Sequence, residues 1–156
     1  MAAREIVKYP SDILRQQAKT VTKIDQGLID EMMKLLHEAN GLGLAAPQVG
    51  VLQKLFVYDD GELSGALINP KIIHSSGEQL GVEGCLSLPG IQGEVRRADE
   101  VTVTGMNEKG KHVKIKAQGL RARLFQHEID HLYGTLFIDR AEPDSVYCVG
   151  EDDEEE

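Results

Sequence analysis

Apolar residues recur at helical spacing in two stretches of the chain and alternate with polar ones in several others. Across residues 26–39, Leu28, Ile29, Met32, Leu35, Leu36 and Ala39 form one stripe, with Asp25 placed to cap the helix and Asn40-Gly41 to end it. The stripe reads as a core face, and His37 on the same helix reads as a surface residue with no metal role. Helical spacing returns over residues 120–133, where Leu120, Leu124, His127 and His131 share one face and Gly134 is a natural stop. Extended segments are expected at residues 55–58, 66–69 and 72–74. Residues 101–105 and 112–117 alternate and are joined by the turn Asn107-Glu108-Lys109-Gly110, so they read as a hairpin whose His112, Lys114 and Lys116 face solvent. Strands surrounding one long helix predict an α+β domain.

At 156 residues, 41% of them hydrophobic, the chain can bury one substantial core. The formal charge of −9 is misleading as an average. All 17 basic residues lie at or before Arg140, and 8 of the 26 acidic ones lie from Glu142 onward, so the body is nearly neutral. Residues 1–141 are expected to form a single catalytic domain, and residues 142–156 an acidic, disordered tail with scope as an interaction segment. No basic run interleaved with aromatics argues for nucleic-acid binding. No basic-then-apolar leader or membrane-length apolar run is present, which predicts a cytoplasmic protein with no membrane partner. Cys85 and Cys148 are expected to stay free thiols.

The candidate chemistry lies in His127-Glu128-Ile129-Asp130-His131, an HExxH run. In a helix, four residues turn roughly 400° and rise about 6 Å, so both imidazoles share a face and can hold one metal ion. Glu128 can then take a proton from water on that ion, which implies hydrolysis. A third ligand must come from elsewhere. Phe137 stands where a metzincin would have its third His. Glu151 lies 20 residues after His131, but Pro143 and Gly150 interrupt the way and no apolar face supports a helix there. Cys85 remains, between Gly84 and the tight loop Leu86-Ser87-Leu88-Pro89-Gly90; its thiolate would complete a Cys/His/His set with one position left for water. Gly-rich Leu42 and Gly43, leaving the first helix, can bring main-chain groups to a substrate.

Glu83-Gly84-Cys85-Leu86-Ser87 occurs together with Gly41-Leu42-Gly43-Leu44-Ala45-Ala46-Pro47-Gln48 and with Gln126-His127-Glu128-Ile129-Asp130-His131, in that order. In these three motifs the chain resembles the peptide deformylases, whose patterns read GxGLAAxQ, EGCLS and QHExDH. The joint match is far more specific than any one motif. The resemblance implies antiparallel sheets packed around a central helix that carries the histidines. It implies Cys85, His127 and His131 as metal ligands and Glu128 as the general acid and base. Gln48 and the Leu86 N–H would hold the oxygen on which negative charge develops. Gln126 and Asp130 would support the ligands. Asp130 either orients an imidazole or pairs with an arginine such as Arg97.

The implied reaction is attack of water on the formyl carbon of an N-formylmethionyl peptide, releasing formate and a free amino terminus. Leu42, Leu120 and Leu124 would take the methionine side chain, while main-chain groups at Leu42 and Gly84 pair with the peptide as an added strand. Ligand softness suits zinc, whereas the resemblance points to ferrous iron, with nickel, cobalt or zinc as substitutes. The partners implied are N-formylmethionyl peptides and nascent chains, met at the ribosome, and the expected state is a monomer. Two rival classes remain at this point: a zincin-like peptidase indifferent to the formyl group, and a metal-holding binding module without turnover.

Overall fold

The structure is a computed structural model, and it describes residues 5–148. Helix α1 spans Gln26–Glu38, and the Asp25 carboxylate accepts a hydrogen bond from the Leu28 N–H at 3.1 Å, which satisfies one of the free donors of the first turn. Leu28, Ile29, Met32 and Leu36 are buried, as their spacing predicts, while Leu35 and Ala39 are half-buried. The helix ends where Asn40 turns into the left-handed region at φ 56°, and the Gly41 N–H reaches back to Leu36 O. His37 is exposed and pairs with Asp59 at 2.8 Å.

Among the described residues, eight strands form two antiparallel sheets. Strands β1 (Gly43–Ala45), β2 (Leu55–Asp59), β3 (Ser64–Ser76), β6 (Glu100–Met106) and β7 (His112–Gln118) lie in the order β1-β2-β3-β6-β7, and β4 (Gln79–Cys85), β5 (Leu88–Arg97) and β8 (Tyr147–Cys148) lie in the order β4-β5-β8. The extended segments expected at 66–69 and 72–74 are two halves of β3. The register shifts between Ile68 and Lys71, where Asn69 has φ 52° and its side chain clamps the Val21 backbone. The β6–β7 hairpin forms as read, with His112, Lys114 and Lys116 exposed.

Helix α2 (Gly119–Leu132) follows β7 directly and lies across the larger sheet. Its Ala122, Phe125, Ile129 and Leu132 enter a core with Phe56, Tyr58, Val101 and Val103, and the Phe125 ring sits 5.0 Å from Tyr58 and 5.7 Å from Phe56. Each such aromatic contributes roughly 1.5–3 kcal/mol of burial. The short helix α3 (Phe137–Arg140) joins Leu14, Leu88, Val95 and Leu136 in a separate cluster under the smaller sheet.

One expectation is corrected by the fold. Residues 142–148, assigned to a disordered tail, are held in place: the Glu142 N–H bonds to Glu94 O, Ser145 caps the same strand, and β8 pairs with Ile91 and Gln92 of β5. The strand signal there is only the short run Val146-Tyr147-Cys148, set in an acidic segment. The rest of that segment, with Glu151, lies outside the described residues.

Candidate metal centre and substrate cavity

Helical geometry sets the first two donors. His127 and His131 lie one turn apart on α2, both buried, and their Nε2 atoms are 3.3 Å apart. The third donor arrives on the β4–β5 hairpin. Leu86-Ser87 forms its two-residue turn, Cys85 pairs with Leu88 at its neck, and the Cys85 Sγ comes to 3.4 Å from His131 Nε2. These three ligand atoms all lie within 4.8 Å of one another. Three lone-pair donors converging in a buried place are unfavourable unless a cation shares them, and one soft and two borderline ligands suit a first-row divalent ion. The residues fit a metal.

The imidazoles differ in their far sides. His127 Nδ1 meets Glu83 Oε1 at 2.8 Å, which assigns the proton to Nδ1 and leaves Nε2 free to ligate. Burial alone would raise the Glu83 carboxyl, but hydrogen bonds from Arg97 and His127 outweigh it and hold the group well below the usual carboxylate range. Burial likewise opposes protonation of His127, and its contacts with Cys85 and Glu83 push it up; His131 is pushed down by burial and by the neighbouring His127. His131 Nδ1 has no partner among the described residues.

Asp130 does not orient an imidazole. Of the two roles open to it, the structure places it in ion pairs with Arg97 at 2.6 Å and Arg140 at 2.6 Å. Gln126 fastens α2 to the β5–β6 link instead, through the Ala98 N–H and C=O. The orienting role falls to Glu83, which the sequence reading quoted within a motif without giving it a task. Its position two residues before Cys85, on the same hairpin arm, was the available signal.

Glu128 is buried, and its Oε1 has no partner among the described residues. Burial is the main cause that pushes its carboxyl up to about 7, with the Glu83 charge adding and the His127 charge opposing. A carboxyl so placed exchanges a proton with water near neutrality. Gln48 is buried as well and lines the same cavity as Glu128. Its Oε1 accepts from the Ala45 N–H at 2.9 Å, which aims the amide Nε2–H₂ at Cys85 Sγ, 3.4 Å away, and at Ser87 Oγ, 3.1 Å away.

A cavity of about 340 Å³ opens onto this centre. Leu42, Gly43, Gln48, Gly84, Cys85, Leu86, Leu120, Leu124, His127 and Glu128 all line it, so every candidate residue except the buried His131 reaches the cavity. Val82, Ile91 and Arg123 line it as well and were not singled out from the sequence. Gly43 is required by close approach: a Cβ there would stand 2.6 Å from Glu128 Oε2 and 2.7 Å from Leu124 Cδ1. At Gly84 a Cβ would make only ordinary contact with Ile91 O, so packing alone does not demand glycine.

An arrangement of this kind serves the activation of water, and the chain is a metal-dependent hydrolase of mixed α and β structure. The family is more specific than the class. The model of the polypeptide deformylase family matches residues 3–146. A peptide deformylase of Halothermothrix orenii is 51% identical over 90% of this chain and 94% of its own length, and one of Thermodesulfovibrio yellowstonii is 48% identical over 92% of each. Among solved structures, the peptide deformylase of Thermotoga maritima aligns with a TM-score of 0.87 and 41% identity, over 92% of this chain and 100% of that one. That of Synechococcus elongatus in complex with actinonin gives the same TM-score and identity over 90% and 80%. The chain belongs to the polypeptide deformylase family, enzymes that remove the formyl group from newly made chains.

Proposed function

We propose that this deformylation takes place at the Cys85, His127 and His131 centre, with an N-formylmethionyl peptide lying in the adjoining cavity. The observation that carries this reading is the convergence of three metal-binding atoms within 4.8 Å of one another, with the buried Glu128 carboxyl lining the same cavity as Cys85 and His127. A divalent ion held by Cys85 Sγ and the two Nε2 atoms would supply a Lewis acid that acidifies water and polarises the formyl oxygen.

The remaining work belongs to the chain's own side chains. Glu128 takes the proton of the attacking water and returns it to the departing amine, so that one group serves as base and then as acid. The Gln48 amide and the Leu86 N–H donate to the oxygen as negative charge develops on the former formyl carbonyl. Collapse of that intermediate breaks the C–N bond and yields formate and a free amino terminus. Leu42, Leu120 and Leu124 receive the methionine side chain, and main-chain groups at Leu42 and Gly84 pair with the peptide.

Ferrous iron is the proposed native ion, with zinc, nickel or cobalt able to substitute. The proposed setting is the cytoplasm, as a monomer meeting nascent chains at the ribosome. No helix of the described residues is long and apolar enough to cross a membrane. The test is formate release from formyl-Met-Ala-Ser by anaerobically purified protein, with metal content measured on the same sample. Release that disappears together with the metal in Cys85→Ala supports the reading. A folded, fully metallated protein that releases no formate, or that cleaves unformylated peptides equally well, sinks it.

A further inference from the structure

Arg123 is a buried cation that the reaction as described does not use. It lies on α2 four residues before His127, and so on the same face one turn earlier. Its Nη1 donates to Glu83 Oε2 at 2.6 Å and to Val95 O at 3.0 Å, and its Nε donates to Gln79 Oε1 at 3.2 Å. The other Glu83 oxygen, Oε1, is the one that meets His127. A single carboxylate is therefore bracketed along the helix axis, with Arg123 on one oxygen and His127 on the other. Arg97 grips both oxygens from a third direction, at 2.8 Å each.

The chain makes room for this guanidinium. A Cβ at Gly81 would meet Arg123 Nη2 at 3.0 Å, Cζ at 3.2 Å and Nε at 3.3 Å, so the strand carries no side chain where the guanidinium lies against it. Burying a charge with one nitrogen, Nη2, left without a hydrogen-bond partner among the described residues is costly, and a purely structural cross-tie between α2 and β4 does not require a cation so close to the metal centre.

We propose that Arg123 is a positioning residue for His127, acting through Glu83. Its hydrogen bond to Oε2 holds the carboxylate where Oε1 meets His127 Nδ1, so that Nε2 faces the other two ligand atoms. Its hydrogen bond stops the carboxylate from tilting, which fixes the plane of the imidazole. Without it, Oε2 keeps only the Arg97 contact, the carboxylate can tilt, and the His127 ring rotates more freely. This inference rests on His127 being a metal ligand, as in the proposed function.

The experiment uses zinc-loaded, full-length protein, in which the imidazole protons are observable by NMR. In the unaltered protein, one hydrogen-bonded Nδ1–H resonance is expected from His127. In Arg123→Met that resonance shifts strongly or is lost by exchange, zinc affinity falls about 10- to 100-fold, and kcat falls in the same range while KM changes little. Arg123→Lys restores part of each, since it returns charge without the fork geometry. Gly81→Ala, which pushes the guanidinium by a few tenths of an ångström, gives a smaller change in the same direction, and it decides the matter with Arg123→Lys should Arg123→Met not fold. An unchanged Nδ1–H resonance and zinc affinity in the folded variants overturns the proposal, as does a loss confined to KM, which would make Arg123 only a wall of the cavity. Protein that binds no zinc before any substitution would instead sink the proposed metal centre.

Discussion

The two long helices make opposite use of similar lengths. Helix α1 buries Leu28, Ile29, Met32 and Leu36 and leaves its polar residues in solvent. Helix α2 buries Arg123, His127, Glu128 and His131 along with its apolar residues. The first is arranged for stability alone. The second gives up burial free energy to hold charged groups out of water, where their proton affinities and mutual distances can be set by neighbours rather than by solvent. Stability and chemistry are thus assigned to different helices, and substitutions should separate them.

Glu128→Ala on α2 is expected to have the largest effect, lowering kcat by about 10²- to 10⁴-fold with metal content retained. Steady-state formate release on the metallated variant checks it, and near-normal turnover would remove Glu128 from the base role. Met32→Ala on α1 should do the reverse, costing roughly 2–5 kcal/mol in denaturant unfolding with kcat unchanged, because Met32 is fully buried in an apolar cluster and does not line the cavity.

A subtler contrast lies in pH. In metal-free protein the Glu128 carboxyl titrates near 7, above its unfolded value of about 4.3, so the folded state binds the extra proton between these limits. Stability is full below about pH 4 and is lost as pH rises through 7, by about 3 kcal/mol. Glu128→Gln should therefore be the more stable protein at pH 7.5 and lose that advantage near pH 4. A constant difference across the range would show that burial does not set this proton affinity. The smallest effect is expected for Leu120→Ala, at the exposed start of α2 on the cavity rim. A rise in KM of about fivefold, from roughly 1 kcal/mol of lost apolar contact, should come with no measurable change in unfolding.

The same contrast explains what could be read from the sequence. Helix α1, the β6–β7 hairpin and α2 were legible because their period is clean and their ends carry Asp25, Asn40 and Gly134. The metal donors and Glu128 were legible because their spacing is itself chemical. Strands β1, β4 and β5 were not, since Gly43, Gly81 and Gly93 break the alternation where the chain must pass close to α2 or to its own neighbours. Glu83 and Arg123 resemble solvated residues until the fold brings them within 2.6 Å of each other. Only a tertiary contact turns such charges into buried partners. Asp130 shows the converse: adjacent to a ligand in sequence, it is directed by helix geometry toward Arg97 and Arg140 rather than toward the ring it neighbours.

Strand β7 closes one side of the five-stranded sheet, and along it His112, Lys114 and Lys116 stand in solvent. An open sheet margin is a template for pairing with another molecule, and lysines spaced along it keep two such margins apart by mutual repulsion. The colloidal behaviour of the protein is therefore tied to a strand that has no part in the chemistry. Acylating those amines would leave the metal centre untouched while inviting one molecule to add its margin to the next.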